Sequence, residues 1–159
     1  MINAWRLTAA HWAATAFTGD GARRAGGRWN SKGRSVVYTS QSQALALLEQ
    51  VVHFEPDTAP RPFVIIAVGL PDDLVESVSL SSLPRFWRET GSDALAATRS
   101  LGDQWLMDRR SAALSVPSAI VPAERNFLLN PEHVDFPSLL LDQAASFDLD
   151  PRLLFRSVR

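Results

Sequence analysis

The chain contains no cysteine. Disulfides, thiolate nucleophiles and metal sites built on cysteine are therefore excluded. Lysine is almost missing too: Lys32 is the only one among 16 basic residues, and the rest are arginines. The three histidines, His11, His53 and His133, are dispersed and fit no metal-ligand spacing. There is no Gly-Lys-Ser/Thr, hence no Walker A loop, and Gly19-Asp20-Gly21 lacks the third glycine of a dinucleotide fingerprint. No basic excess exists, because 16 basic residues face 17 acidic ones for a net charge of -1. That counts against a protein whose main task is gripping nucleic acid. The longest apolar run, Phe63 to Leu70, is far short of the ~20 residues that span a bilayer. Met1 to Ala16 has no continuous apolar leader. A soluble cytoplasmic protein is expected, without membrane contact, metal or prosthetic group.

What is present describes an ordinary globular chain. Its 159 residues are 46% hydrophobic and 21% charged, which predicts one domain, residues 1–159, with a real core. Gly19 to Gly33 carries five glycines and reads as a loop. Arg34 to Thr39 reads as a strand, with Val36 and Tyr38 on one face and Val37 and Thr39 on the other. Ser40 or Ser42 caps a helix running to about Phe54. Glu55 to Pro62, with three prolines, reads as a loop, and Phe63 to Val68 as a buried strand. Further strands are expected at Val75 to Leu80, Ala113 to Val116, Ala119 to Val121 and Asn126 to Leu129. Helices are expected at Ser92 to Arg110, with a weak point at Gly102, and at Pro137 to Ala145. This mixture lacks regular βαβ units, so the expected class is α+β.

Four places hold residues suited to chemistry. In Gly26-Gly27-Arg28-Trp29-Asn30, glycines permit close backbone approach and Arg28 offers a planar fork for phosphate or carboxylate. A plain glycine turn with a solvated arginine reads equally from these residues. Tyr38 is either core or a platform for a flat ring. Glu49 lies at the edge of an apolar stripe formed by Ala44, Leu45, Leu47, Leu48, Val51 and Val52, so it borders a pocket or reaches water. Ser118 sits between apolar strand residues and needs a hydrogen-bond partner if buried. It is outside any Gly-x-Ser-x-Gly elbow, which argues against a hydrolase nucleophile. Asn126 and Asn130 are turn or site residues.

Taken together, these segments resemble the RES domain, named for its arginine, glutamate and serine. The first half is carried by Gly19-Asp20-Gly21-Ala22, Gly26-Gly27-Arg28-Trp29-Asn30, Val36-Val37-Tyr38-Thr39-Ser40 and Ala44-Leu45-Ala46-Leu47-Leu48-Glu49. The second is carried by Leu101-Gly102-Asp103-Gln104-Trp105-Leu106, Val116-Pro117-Ser118-Ala119 and Asn126 to Asn130-Pro131-Glu132-His133. The resemblance implies an ADP-ribosyltransferase-like fold, with mixed sheets and flanking helices, and the toxin of a toxin–antitoxin pair. It implies NAD+ as substrate and a helix-turn-helix antitoxin that covers the active site. By position it implies Arg28, Tyr38, Glu49 and Ser118 as catalytic residues. Arg6, of the Trp5-Arg6 pair, and Asn126 join Arg28 and Tyr38 as NAD+-binding residues.

This set suits cleavage of the nicotinamide–ribose bond. Nicotinamide leaves as a neutral molecule and needs no proton, so the second carboxyl group of an ordinary glycosidase is dispensable. Glu49 would hold a ribose hydroxyl and stabilise the developing oxocarbenium charge, with Ser118 orienting it. Arg28 would bind the pyrophosphate and Tyr38 would stack on the nicotinamide or its ribose. Water, phosphate or a protein side chain would each serve as acceptor, giving a glycohydrolase, a phosphorylase or an ADP-ribosyltransferase. The expectation favours free NAD+ with water or phosphate. Two rivals are a ribonuclease using Arg23, Arg24 and Arg28, disfavoured by the charge balance and the lack of a histidine pair, and an inert interaction module.

Overall fold

The computed structural model of the chain describes residues 1–54 and 62–153. The expected loop Glu55 to Pro62 lies outside these residues except for Pro62. Strands β1 (Ile2–Ala9), β2 (Val37–Ser40), β3 (Phe63–Leu70), β4 (Val75–Ser77), β5 (Ala113–Pro117), β6 (Arg125–Leu129), β7 (Leu140–Leu141) and β8 (Ala145–Phe147) are joined by helices α1 (Asp20–Ala25), α2 (Gln43–Val51) and α3 (Ser92–Asp108). The strands form one sheet in the order β4-β5-β6-β2-β1-β3-β7, with β8 also on β3. Among the described residues only β4 and β5 pair in parallel, so the sheet is mixed and the class is α+β, as expected.

β1 is central and pairs along its whole length with β3, from Ile2 opposite Leu70 to Ala9 opposite Phe63. Against β2 it pairs only at Trp5 and Ser40. The sheet therefore parts between β1 and β2, and side chains bridge the seam. Arg6 Nη1 donates to the Tyr38 carbonyl at 2.8 Å, and Gln50 Nε2 donates to the Leu7 carbonyl at 3.3 Å. These bonds serve carbonyls that a continuous ladder would otherwise satisfy.

The alternation expected in β2 holds. Val37 joins a core with Ala4, Val68, Leu70, Phe127 and Leu129 on one face. Val36 and Tyr38 join Trp29, Trp87, Trp105, Leu114, Val116 and Leu128 on the other. α3 covers that second core, and its Trp105 is fully buried with Nε1 donating to Ser111 Oγ at 2.8 Å. Gly102 is where α3 touches the Trp29 backbone: a Cβ there would fall 1.8 Å from the Trp29 carbonyl oxygen. The residue expected to weaken the helix is thus the one that lets it dock.

Other expectations change. The loop from Gly19 to Gly33 contains α1, because Asp20 to Ala25 are helix-compatible residues bounded by Gly19 and Gly26 at positive φ. Strand β2 starts later than expected, β3 runs on to Leu70, and β4 stops at Ser77 before a 3-10 turn at Leu80–Ser82. Ala119 to Val121 is a turn, since the Ser118 hydroxyl captures the amides of Ile120 and Val121 that a strand would need. Pro137 to Ala145 is not a helix either. It holds the end of a 3-10 turn (Phe136–Ser138), then β7 and the start of β8, which cover the outer edge of β3.

Candidate active site

The seam between β1 and β2 opens a cleft lined by Arg6, Tyr38, Ser40, Glu49, Gln50 and Asn126, among others. α2 delivers Glu49 to it. The helix starts cleanly because Ser42 Oγ accepts the Leu45 amide at 3.1 Å. Its inner face buries Leu45 and Ala46, the latter packed with Leu7 of β1 and Ile65 of β3. The broad apolar stripe is only partly buried, contrary to expectation: Leu48 stays 40% exposed and Val52 50%.

The Glu49 carboxylate is held from one side. Its Oε1 accepts Ser118 Oγ at 2.9 Å and Asn126 Nδ2 at 2.5 Å. Ser118 is fully buried, and its oxygen accepts the amides of Ile120 and Val121, each at 3.1 Å. With both acceptor positions engaged, the hydroxyl proton is aimed at Glu49. Asn126 is oriented likewise, because its Oδ1 accepts Ser40 Oγ at 2.7 Å. Registry puts these groups together: Ser40 faces Asn126 across β2 and β6, and Asn126 faces Val116 across β6 and β5. Glu49 Oε2 makes no hydrogen bond among the described residues.

Arg6 lies across the same cleft, and burial alone lowers its pKa to about 10. It remains a cation at neutral pH. It forms no ion pair among the described residues, and its Nε is buried without a partner. A desolvated cation without a counter-charge is costly unless a ligand supplies the anion.

Arg28 lies on the glycine turn that precedes β2. Its fork is engaged by main-chain carbonyls: Nη1 donates to Trp87 at 2.7 Å and Glu89 at 3.0 Å, and Nη2 to Arg88 at 3.2 Å. Burial lowers its pKa, while the charge of Glu49 raises it, so the two side chains sense each other. The turn beneath it is anchored by α3, with Thr98 Oγ1 donating to the Arg28 carbonyl at 2.6 Å and Arg99 Nε to the Gly27 carbonyl at 2.7 Å. Tyr38 is committed to the same turn. Its hydroxyl donates to Asn30 Oδ1 at 2.7 Å and accepts the Trp29 amide at 3.1 Å, and burial pushes its pKa well up. Gly27 permits this contact, since a Cβ there would fall 2.5 Å from the tyrosine oxygen.

Gln50, Thr98 and Arg99 carry no role in the sequence expectation, and Ser40 enters it only as an alternative helix cap, a position that Ser42 takes. Asn30 holds a central position that its motif does not announce, with Nδ2 donating to the carbonyls of Ala22, Ser31 and Arg34. The signal available was a fully polar residue beside Trp29 in a glycine turn. No group of His, Asp and Glu among the described residues is placed to hold a metal ion, and no helix there is long and apolar enough to cross a membrane.

Comparison with known proteins decides the family. A model described as the RES domain matches residues 3–150. This chain belongs to the RES domain toxin family. It is 37% identical over 150 residues to a protein named Toxin Res from Yersinia enterocolitica, covering 94% of this chain and 97% of that one. It is 37% identical over 158 residues to a Sphingobium protein named Prs ADP-ribosylating toxin, covering 94% and 95%. The fold is similar to a chain in the crystal structure of the M. tuberculosis MbcT–MbcA toxin–antitoxin complex. That match has a TM-score of 0.74 and 19% identity, and covers 96% of this chain and 86% of the other. All six residues singled out from the sequence fall inside the RES match.

Proposed function

We propose that this protein is the toxin of a toxin–antitoxin pair and that it cleaves the nicotinamide–ribose bond of NAD+. The observation carrying this reading is the Glu49 carboxylate, pinned through Oε1 by Ser118 and Asn126, in one cleft with the uncompensated Arg6 cation. A preorganised anion suits a developing oxocarbenium, and a desolvated cation suits a phosphate.

In this mechanism Glu49 accepts a hydrogen bond from a hydroxyl of the nicotinamide ribose through Oε2. The bond from C1′ to the pyridinium nitrogen breaks, and its electron pair neutralises the nicotinamide. The positive charge moves to the ribose, where Glu49 stabilises it. An acceptor oxygen then attacks C1′ and loses its proton to solvent. Ser118 and Asn126 hold the carboxylate still, which lowers the reorganisation needed in the transition state. Arg6 takes a phosphate of the dinucleotide. Arg28 meets the pyrophosphate only after exchanging its carbonyl partners, and in their presence it holds the 87–89 segment. Tyr38 braces the turn through its hydroxyl and offers its ring to the nicotinamide or its ribose.

We favour water or phosphate as acceptor, with depletion of NAD+ as the toxic outcome. The printed name of the Sphingobium relative supports a second reading, transfer of ADP-ribose to a protein. A helix-turn-helix antitoxin would neutralise the protein by covering the cleft. The test is the cellular NAD+ content after induced expression. The parent should deplete NAD+ and arrest growth, and Glu49→Gln at equal abundance should do neither. Growth arrest with NAD+ unchanged would favour a protein acceptor, and arrest by Glu49→Gln would refute the assignment of the carboxylate.

A further inference from the structure

A second cavity, of about 200 Å³, lies away from the Glu49 cleft. Arg34, Arg109, Asn130 and Glu132 line it, together with Gly33 and Met107. Asn126, beside Glu49, and Asn130 are four residues apart along β6 and its extension, about 13 Å at ~3.3 Å per residue. The cavity is therefore at the other end of that strand.

Three features of its wall lack the partners they would ordinarily have. Asn130 is 1% exposed, and its Nδ2 has no hydrogen-bond partner among the described residues. Its Oδ1 accepts the Glu132 amide at 3.0 Å, which fixes the carboxamide in this orientation. Among the described residues Arg34 Nη2 reaches only the Met107 sulfur, at 3.0 Å, and a thioether is a weak acceptor. Arg109 approaches Glu132 no closer than 3.8 Å, outside hydrogen-bond distance. Its backbone is held at φ 48°, a left-handed conformation that favours glycine at a helix end, and yet a long cation stands there.

The charge balance favours an anion. Two guanidinium groups face one carboxylate in the cavity, and Lys32 stands beside Gly33 on the same turn. α1 is tied to that turn by the Gly33 amide donating to the Arg23 carbonyl at 2.8 Å, and its Arg24 adds a cation while Arg23 is paired with Asp20. The volume is below the ~300 Å³ of a typical drug-sized pocket. A dinucleotide is too large for it, but a single phosphate group is not.

We propose that this cavity binds a phosphate group, free or as a small monoester, at a site separate from the Glu49 cleft. Arg34 and Arg109 supply charge-assisted donors, and the Asn130 amide completes the set. Binding is independent of NAD+ cleavage, so the test does not rest on that reading.

The test is an amide NMR titration of the full chain with sodium phosphate and, separately, glycerol 3-phosphate, against chloride at matched ionic strength. Saturable shifts are expected at Gly33 to Ser35, Arg109 and Glu132. They should persist in Glu49→Gln and weaken at least tenfold in affinity in Arg34→Met, whose side chain lies on the surface. Arg109→Gly relaxes the left-handed position, so it should fold and should also lose binding. Response to both probes identifies the phosphate group as the ligand, and response to one names its source. Shifts no larger than with chloride, shifts confined to the Arg6 and Tyr38 cleft, or shifts that survive both substitutions would overturn the proposal.

Discussion

Replacing Glu49 by glutamine separates chemistry from folding, because the surroundings dictate how the amide must sit. Ser118 Oγ and Asn126 Nδ2 both donate to Oε1. The glutamine carbonyl must take that position, which leaves its NH2 where the free Oε2 was. A donor then faces the ribose hydroxyl and the charge that Glu49 is placed to stabilise. Two hydrogen bonds change from charge-assisted to neutral, at about 1 kcal/mol each, from roughly 1.5–3 to 0.5–1.5. A total near 2 kcal/mol lowers Tm by roughly 4–8 °C in a chain of this size. Loss of one preorganised electrostatic group costs about 10²–10³ in kcat, or roughly 3–4 kcal/mol. Nicotinamide release from NAD+ and a thermal melt of the same preparation check both figures. Release within threefold of the parent, with the fold intact, would refute the role given to Glu49.

Three further substitutions probe the supporting structure. Ser118→Ala removes a Glu49 partner and strands the amides of Ile120 and Val121, so it should cost about 1–3 kcal/mol in a denaturant melt and lower kcat more than it raises KM. Gly102→Ala drives a methyl into the Trp29 carbonyl and should destabilise by about 1–3 kcal/mol or more, visible in the same melt. Arg6→Met tests the uncompensated cation. Its folded pKa is below that of an exposed arginine, so the unfolded chain binds the proton more tightly. The charged form therefore opposes folding throughout the range below about pH 10, and the opposition fades as pH rises through that value. At neutral pH the lost bond to the Tyr38 carbonyl offsets the relief of the buried charge, so Arg6→Met should melt within a few degrees of the parent, at about 1–3 kcal/mol for the stranded carbonyl, while KM for NAD+ rises at least tenfold. A lower Tm with KM unchanged would show that Arg6 is a structural staple.

The parts of the fold that were legible in the sequence are those with a strong local signature. β3 announces itself by consecutive β-branched and aromatic residues, and α2 by the Ser42 cap. β1 was not legible, because Asn3, Ala4, Arg6 and Ala9 carry little strand propensity and its place is set by eight pairs with β3. The stretch after Pro137 kept a helical look in its leucines, while the open edge of β3 recruits it as strand. Of the candidate site, the position of Glu49 at the edge of the stripe allows a pocket or water, and only the family resemblance singles it out. Its partnership with Ser118 follows from the family resemblance alone, and its bond from Asn126 depends on the register of three strands and could not be read. The carbonyls that occupy Arg28 come from a segment about sixty residues away. Local sequence carries no trace of such a contact.

Nicotinamide release from NAD+ by the purified protein, with and without added phosphate, tests the central claim most directly. The account predicts release by the parent at a rate at least a hundredfold above Glu49→Gln, the expected scale for losing one such group, with any dependence on phosphate identifying the acceptor. Equal release by the two proteins, or none by either in the presence of water, phosphate and candidate protein acceptors, would contradict it.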